Sequence, residues 1–295
     1  MALKNILVTG ATGKQGGAVI RALLSSPTPS FHIYALTRNA SSPSAQALAS
    51  KPNITVVEGD TSNPAPIFTS ISQPVHGVFS VTVPNPFKAG SFEENQAIPL
   101  IDASVKHGVK QFIFTSADRG GPGKADNDPT PVPHFITKFN VENHLKSRNM
   151  QWTILRPVAF YENLTPDFIG KGFAAMWRQL GDVKLGLVGT KDIGLVAAKA
   201  FLHPENYANR AVTLVGDQLT FAEADKAFED VVGTKMPITF NLVASGLKWM
   251  IHDLGAMFKW FGEGGYAWDM SGVRKEEQLM DFKTWLKSES KFQKS

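Results

Sequence analysis

Lys4–Arg21 reads KNILVTGATGKQGGAVIR, and this stretch decides the fold. Ile6, Leu7 and Val8 form a short apolar run, the pattern of a strand buried on both faces. Gly10, Gly13 and Gly16 follow at a spacing of three. The first lets the chain turn sharply without a Cβ penalty. The second lets backbone N–H groups approach a pyrophosphate, and the third lets a helix close on the strand. Val19, Ile20, Leu23 and Leu24 then supply the apolar stripe of that helix. Its N-terminus, with free N–H groups and a positive dipole end, faces the phosphate. A glycine triplet alone is a weak signal; between a strand and a helix it stands in the context that dinucleotide binding demands.

Outward from this stretch, the 295 residues suffice for one large α/β domain or for a domain with a smaller lobe. Hydrophobic residues are 43% and charged residues 19%, which fits a soluble globular protein of enzyme size. Cysteine is absent, which excludes disulfides, thiol catalysis and thiolate metal sites. The net charge is only +4 and the basic residues are scattered, so direct nucleic-acid binding is not expected. The chain enters a strand at once, leaving no room for a signal peptide. No apolar run reaches the roughly 18 residues of a membrane span. The expectation is a cytoplasmic protein.

His32–Leu36 is predicted as the second strand, ending at Thr37 and Arg38. Rossmann proteins read the adenosine ribose here, with an acidic residue for NAD or a basic one for the 2′-phosphate of NADP. Arg38 has no Asp or Glu near it, and Lys14 in the glycine loop adds a second positive charge; this selects NADP(H). Ser41–Ser50 is a polar approach to a helix. Ile54–Val57 is the third strand, followed by Asp60, which lies by the adenine, caps the next helix, or does both. Val78–Val83 is the fourth strand, ended by Pro84, with Thr82 and Val83 bordering the cofactor. Phe92–Gly108 is helical and Lys110–Thr115 is the fifth strand. This alternation predicts the α/β class: a Rossmann-type, doubly wound parallel sheet with right-handed crossovers.

The candidate chemistry gathers after the fifth strand. Thr115 and Ser116 place hydroxyls at its end, either to orient a substrate carbonyl or to cap a loop. Arg119–Pro133, rich in Gly, Pro, Asp and Asn, reads as a flexible loop and a candidate lid. His134 and Lys138 are four apart and share a helix face. A lysine beside the nicotinamide ribose holds its hydroxyls, and its charge lowers the pKa of a nearby donor. A histidine can protonate a developing alkoxide. The plainer alternatives are a helix-end imidazole and a solvated ammonium. Trp152–Leu155 is the sixth strand. Pro157 ends it near the nicotinamide, and Tyr161 either brings a phenol into the pocket or packs in the core.

In the C-terminal half, Asp182–Gly189 and Arg210–Val215 read as strands. Asp192 is placed to cap the helix between them. Thr220 begins another helix, which Gly233 stops. Leu242–Phe261 reads as one long apolar helix, followed by Tyr266 and Trp268. This aromatic set points to a small lobe enclosing a hydrophobic substrate, or to that lobe's own core. Its polar face is not strongly basic, so no membrane partner is expected. The predicted organisation is an NADP-binding Rossmann domain over residues 1–155, with residues 182–215 returning to it. A smaller substrate lobe over 156–295 is interleaved with it.

GATGKQGG near the start, TR after strand two, EGD after strand three, FTSAD after strand five, HFxxK and ILRPxxFYEN occur together. With the later DIG and FKWFGEGGYAWD segments, the chain resembles the NmrA-like family over nearly its whole length. That family is an atypical branch of the extended short-chain dehydrogenase/reductase superfamily. The resemblance implies NADP(H) binding through Gly10, Thr12, Gly13, Gln15, Arg38 and Lys138. Ordinary members of the superfamily carry a catalytic tyrosine where this chain has His134. Some relatives reduce small aromatic or polyketide-like molecules; others sense NADP(H) and act on protein partners. The preferred expectation is an NADPH-dependent reductase of a small hydrophobic carbonyl or conjugated double bond, with Lys138, His134 and Tyr161 as catalytic candidates. A redox-sensing regulator is the alternative. No zinc-ligand spacing and no Gly-x-Ser-x-Gly elbow occurs, which argues against hydrolysis.

Overall fold

The computed structural model describes residues 3–25, 30–83, 91–266 and 277–292. Pro84 and Trp268, singled out above, lie outside the described residues. The first half alternates as the sequence predicts: β1 (Lys4–Val8), α1 (Lys14–Leu24), β2 (Phe31–Thr37), α2 (Pro43–Ala49), β3 (Ile54–Glu58), α3 (Ala65–Ser70) and β4 (Gly77–Val81). It continues through α4 (Glu94–Lys106), β5 (Gln111–Thr115), α5 (Lys124–Asn127), α6 (Pro133–Lys146) and β6 (Gln151–Pro157). The second half holds β7 (Ala159–Phe160), α7 (Phe168–Arg178), β8 (Leu185–Val188), α8 (Thr190–Leu202), α9 (Pro204–Tyr207), β9 (Arg210–Leu214) and β10 (Asp217–Leu219). Then come α10 (Phe221–Val232), α11 (Asn241–Met250), α12 (His252–Gly262) and a C-terminal helix, Phe282–Ser288.

Seven strands form one sheet in the order β3-β2-β1-β4-β5-β6-β9, and every neighbouring pair is parallel. Ile6, Val8, Ile33 and Ile113 pack on one face, in the core that includes Val19 of α1 and Val196 of α8. Leu7, Phe112, Phe114 and Ile154 pack on the other, with Leu100 of α4 and Val141 of α6. Covering both faces is why these strands read as unbroken apolar runs. The strand order reverses between β1 and β4, so a crevice forms outside their carboxyl ends.

Helices α1 and α8 approach closely because Gly194 has no side chain. A Cβ there would fall 2.5 Å from the carbonyl carbon of Ala18 and 2.7 Å from its Cβ. Gly194→Ala is therefore expected to push the helices apart, at about 1–3 kcal/mol for an overpacked core. A calorimetric melting temperature lower by several degrees is the expected result. Gly17→Ala is the control: its new Cβ meets atoms no nearer than 3.4 Å, and an alanine inside α1 should hold or raise the melting temperature.

Two expectations need correction. Of residues 182–215, β9 joins the large sheet and α8 packs on α1 as expected, but β8 does not return: it pairs with β7 and β10 in a separate three-stranded sheet. The predicted helix over 242–261 is two helices, broken at Ile251, whose backbone is extended (φ −106°, ψ 91°). The apolar residues there belong to different faces. Phe258, Trp260 and Phe261 of α12 are buried, whereas Leu242, Trp249 and Met250 of α11 are exposed, Trp249 by 87%. One straight helix would have had to serve both sets. Among the described residues, no helix is long and apolar enough to cross a membrane.

Candidate functional site

A cleft of about 600 Å³ opens at the carboxyl ends of β1 to β4. The glycine turn contributes Thr9, Gly10, Thr12 and Gly13; the end of β2 contributes Thr37, with Arg38 just after it; the chain after β3 contributes Gly59 to Ser62. Val81, Val83, Phe92, Asn95 and Gln96 form the opposite wall. The turn is as tight as its spacing requires. Gly10 has φ +56°, and a Cβ on it would sit 2.7 Å from Val81 Cγ1. A Cβ on Gly16 would lie 2.3 Å from the Gly10 carbonyl oxygen. The N-cap of α1 is Gly13, which has no side chain to accept from the first helical amides. Those donors and the dipole end suit an anion.

Of the residues expected to hold a cofactor, the structure brings Gly10, Thr12, Gly13, Arg38, Asp60 and Val83 onto this cleft. Asp60 lines the cleft but does not cap the next helix: the N-cap of α3 is Pro64, and the Asp60 Oδ1 accepts the Ser62 amide and hydroxyl at 2.8 Å each in the turn before it. Those bonds, with Arg38 nearby, hold its carboxyl below the usual range. Lys14 departs from expectation: its Nζ donates to the Glu162 carbonyl at 3.1 Å, toward the segment after β6, and it does not share the wall with Arg38. The Gln15 Oε1 accepts the Thr115 hydroxyl at 2.8 Å, which ties the glycine turn to β5.

Lys138 is buried one residue behind the cleft wall. Its ammonium lies 2.9 Å from Glu93 Oε1 and donates to the Thr82 hydroxyl at 3.2 Å. Thr82 in turn donates to Glu93 Oε1 at 2.5 Å, and Thr137 donates to Oε2 at 3.1 Å. Burial alone would raise the Glu93 carboxyl, but the Lys138 charge and the Thr82 hydroxyl outweigh it and hold it below the usual range. Thr82 and Lys138 are thus bonded to each other and to the Glu93 carboxylate, behind the cleft wall rather than on it. One turn earlier on α6, His134 Nδ1 lies 2.8 Å from Asp253 Oδ1, a residue of α12. The same oxygen accepts the His134 backbone N–H at 3.3 Å. Burial opposes the Asp253 charge too, and the His134 bond overcomes it, holding that carboxyl low.

Three candidates are placed elsewhere. Ser116 donates its hydroxyl to Glu142 Oε1 at 2.5 Å, inside a closed network with Arg119 and Arg156, and not into the cleft. Tyr161 is wholly buried, packed against Phe282 and Trp285, with its hydroxyl donated to the Met280 carbonyl at 3.2 Å. A catalytic role does not fit that position; the packing alternative does. Pro157 sits buried at the end of β6, its carbonyl accepting the Asp118 amide at 2.9 Å, off the cleft. The expected lid over 119–133 is no free loop either. Arg119, Ala125 and Val132 are wholly buried, and Arg119 is bound to Glu142 at 2.9 Å. A composition of Gly, Pro and Asp marks a turn-rich path but says nothing of what anchors it.

Asp192 does not cap α8. The cap position is Gly189, and Glu162 Oε1 accepts the Thr190 amide and hydroxyl at 2.9 and 2.7 Å instead. Asp192 is buried inside the first turn and accepts the Met280 amide at 3.1 Å. Burial, with the Glu162 charge adding and the Met280 amide opposing, pushes its carboxyl up to about 6; Lys191 and Glu289 also face it. The folded state therefore holds this proton more tightly than the unfolded chain. The resulting stabilisation is full below about pH 4 and is lost as pH rises through 6. Asp192→Asn keeps an acceptor for Met280 without a charge. At pH 8 it should be more stable than the wild type by up to about 3 kcal/mol, converging with it near pH 4. Thermal melts across that range check this; a constant difference would sink it.

A model of the NmrA-like family matches residues 2–286. The chain belongs to the NmrA-like family. It is 25% identical over 301 residues to an NmrA-like family domain-containing protein of Dictyostelium discoideum, covering 96% of this chain and 97% of that one. It is 29% identical to an NmrA-like family domain-containing oxidoreductase of Aspergillus hancockii, over 78% of this chain and 73% of the relative. Among solved structures, the triphenylmethane reductase of Citrobacter sp., complexed with NADP(H), superimposes with a TM-score of 0.75 at 22% identity. That match covers 96% of this chain and 99% of the reductase.

Within this NmrA-like chain, sequence reasoning missed Glu93, Asp253 and Glu142. Each is a buried or half-buried carboxylate facing a basic side chain: Lys138 or His134 on α6, or Arg156 on β6. Glu93 carried only a weak signal, its place in the first turn of the helix predicted over Phe92–Gly108. Asp253 carried none: a single Asp in an apolar stretch has no local pattern.

Proposed function

We propose that the protein is an NADP(H)-dependent oxidoreductase acting on a small apolar, aromatic or polyketide-like carbonyl or conjugated double bond. The observation that carries this reading is the placement of Lys138, a buried ammonium directly behind the wall of a cleft built by the glycine turn and Arg38. The cradle fits a dinucleotide: Gly10 and Gly16 leave room only for backbone, and the amides after Gly13 lie open. When bound, the dihydronicotinamide supplies the hydride. The amides after Gly13 hold the pyrophosphate, and Arg38 takes the 2′-phosphate. Lys138 exchanges part of its contact with Thr82 for the ribose hydroxyls and keeps Glu93 as counter-ion. His134 delivers the proton. The family relatives named as oxidoreductases support the same reading.

Arg38→Asp tests the cofactor assignment. Losing a charge-assisted contact and adding a repulsion should weaken NADPH binding by at least about 10-fold to 10²-fold while leaving NADH nearly unchanged. Calorimetric titration of both cofactors reads this; equal losses would remove Arg38 from the 2′-phosphate. The reaction class is tested by NADPH oxidation at varied acceptors: quinones, aromatic ketones and enones. A second reading is favoured by one observation, the imidazole at 134 where the superfamily ordinarily has a tyrosine: an NADP(H) sensor acting through protein partners. Tight cofactor binding without oxidation across the whole panel would move the assignment there.

A further inference from the structure

We infer that Asp253 is a positioning residue for His134, presenting imidazole Nε2 as the nitrogen that exchanges the reaction's proton; this rests on the oxidoreductase reading above. A single oxygen, Oδ1, takes both the ring Nδ1 at 2.8 Å and the backbone N–H at 3.3 Å of the same residue. That double hold fixes the imidazole relative to α6. An ionised carboxylate only accepts, so Nδ1 must carry a hydrogen. In the neutral ring, Nε2 is then left with its lone pair; in the imidazolium, Nε2–H is the proton available to leave. Both states keep the Nδ1–H···Oδ1 bond, so the proton can go and return without the ring moving.

The ring is also braced. The Phe135 ring meets it edge-on at 4.5 Å between centroids, and Trp260 meets Phe135 at 5.4 Å. Helix α12 therefore supplies both the carboxylate and the aromatic support behind the imidazole. The charged groups facing this pair are Glu93 and His252, with Lys138 bound to the former. The step balances. Hydride adds to the substrate carbonyl carbon, the C=O π pair moves to oxygen, and that oxygen takes the proton from Nε2–H. The imidazolium becomes neutral imidazole and is reprotonated from water, so NADPH and one proton are consumed per alcohol formed.

A purely structural role would be to cap α6, whose own N-cap residue, Val132, accepts nothing through its side chain. Asp253→Asn separates the two: a neutral amide oxygen still accepts the backbone N–H and caps α6, but it offers no counter-charge to the imidazole ring. The variant should keep its melting temperature and its NADPH affinity. Its kcat should fall at least about 10-fold, toward the 10²–10⁴ that general acid catalysis contributes, with KM little changed. Nitrogen NMR of the imidazoles, at about pH 9 and so above the ordinary imidazole range, adds a readout independent of turnover. His134 should show the Nδ1–H tautomer in the wild type, and that preference should weaken in Asp253→Asn, whose neutral amide oxygen is the poorer acceptor and whose NH2 can compete by donating to Nδ1. An Nε2–H tautomer in the wild type overturns the inference whatever the activity. The expected tautomer with unchanged kcat in the variant overturns the positioning role and leaves the oxidoreductase reading standing with another donor. No oxidation by the wild type on any acceptor overturns both.

Discussion

Glu142→Ala is expected to lower the melting temperature by about 5–10 °C, from a loss of about 3–5 kcal/mol. Glu142 has no solvent exposure, and neither has Arg119; Arg156 is 2% exposed. Its carboxylate takes Arg119 Nη1 at 2.9 Å, Arg156 Nη2 at 2.5 Å and Nε at 3.2 Å, and the Ser116 hydroxyl at 2.5 Å. Deleting it strands two buried cations. Arg156 keeps Asp126 at 2.7 Å, but Arg119 keeps only hydroxyl and carbonyl partners. Breaking one side of a buried ion cluster costs far more than the intact cluster contributes, because the orphaned charge is desolvated without compensation. The network ties the chain after β5 to α6 and β6, so the loss also releases the segment over 119–133 that the sequence presents as a lid. Burial opposes the Glu142 charge, yet the two arginines hold its carboxyl below the usual range. The stability it contributes is therefore present above the ordinary glutamate range and is lost as pH falls. Removing Glu142 should flatten the acid limb of a stability–pH curve. A loss below about 1 kcal/mol by chemical denaturation would show that solvent reaches the cluster.

Lys138→Ala is expected to reduce kcat/KM for NADPH oxidation by about 10²–10³-fold and to lower stability at the same time. The two effects have separate causes and can be separated. On the proposed reading, activity falls because the ammonium that would order the ribose is gone. Stability falls because Glu93, itself 2% exposed, loses its counter-ion and keeps only the Thr82 and Thr137 hydroxyls. Adding Glu93→Gln to Lys138→Ala removes the stranded charge, so the double variant should recover most of the melting temperature and none of the activity. Recovery of both would reassign Lys138 as structural; retention of full turnover and NADPH affinity in the single variant would remove it from the site altogether.

The legible part of this protein is the part governed by short spacings. Gly10, Gly13 and Gly16 announce the turn because only glycine meets the steric demands of that strand-to-helix junction: for Gly13 and Gly16 these involve atoms within a few residues, and for Gly10 a local positive φ as well as Val81 on β4. His134 and Lys138 share a face because the helical repeat puts residues four apart on one side. Arg38 reaches the cleft because it follows a strand whose end is set by the sheet. The strands of the first half are readable for the same reason, as compact apolar runs between turn residues.

Elsewhere local pattern was ambiguous. Tyr161 follows a strand near the site, and nothing in ILRPVAFYEN says whether its ring turns to the cleft or to Phe282 and Trp285. The apolar residues over 242–261 are dense enough to hide a break at Ile251, because periodicity records how apolar a helix is and not where its partner surface ends.

The sequence by itself determined the strand–turn–helix cradle, the parallel alternation, the common face of His134 and Lys138 and the positive charge after the second strand. All are consequences of backbone sterics and helix or strand repeat, which act over a few residues. Only the tertiary structure decided which carboxylates face which basic side chains. Asp253 reaches His134 across 119 positions of chain, and Glu142 meets Arg119 across 23. Such pairings arise when packed helices and strands exclude water around charges that must then find partners. No repeat in the sequence encodes that requirement, because it is the shape of the assembled core that imposes it.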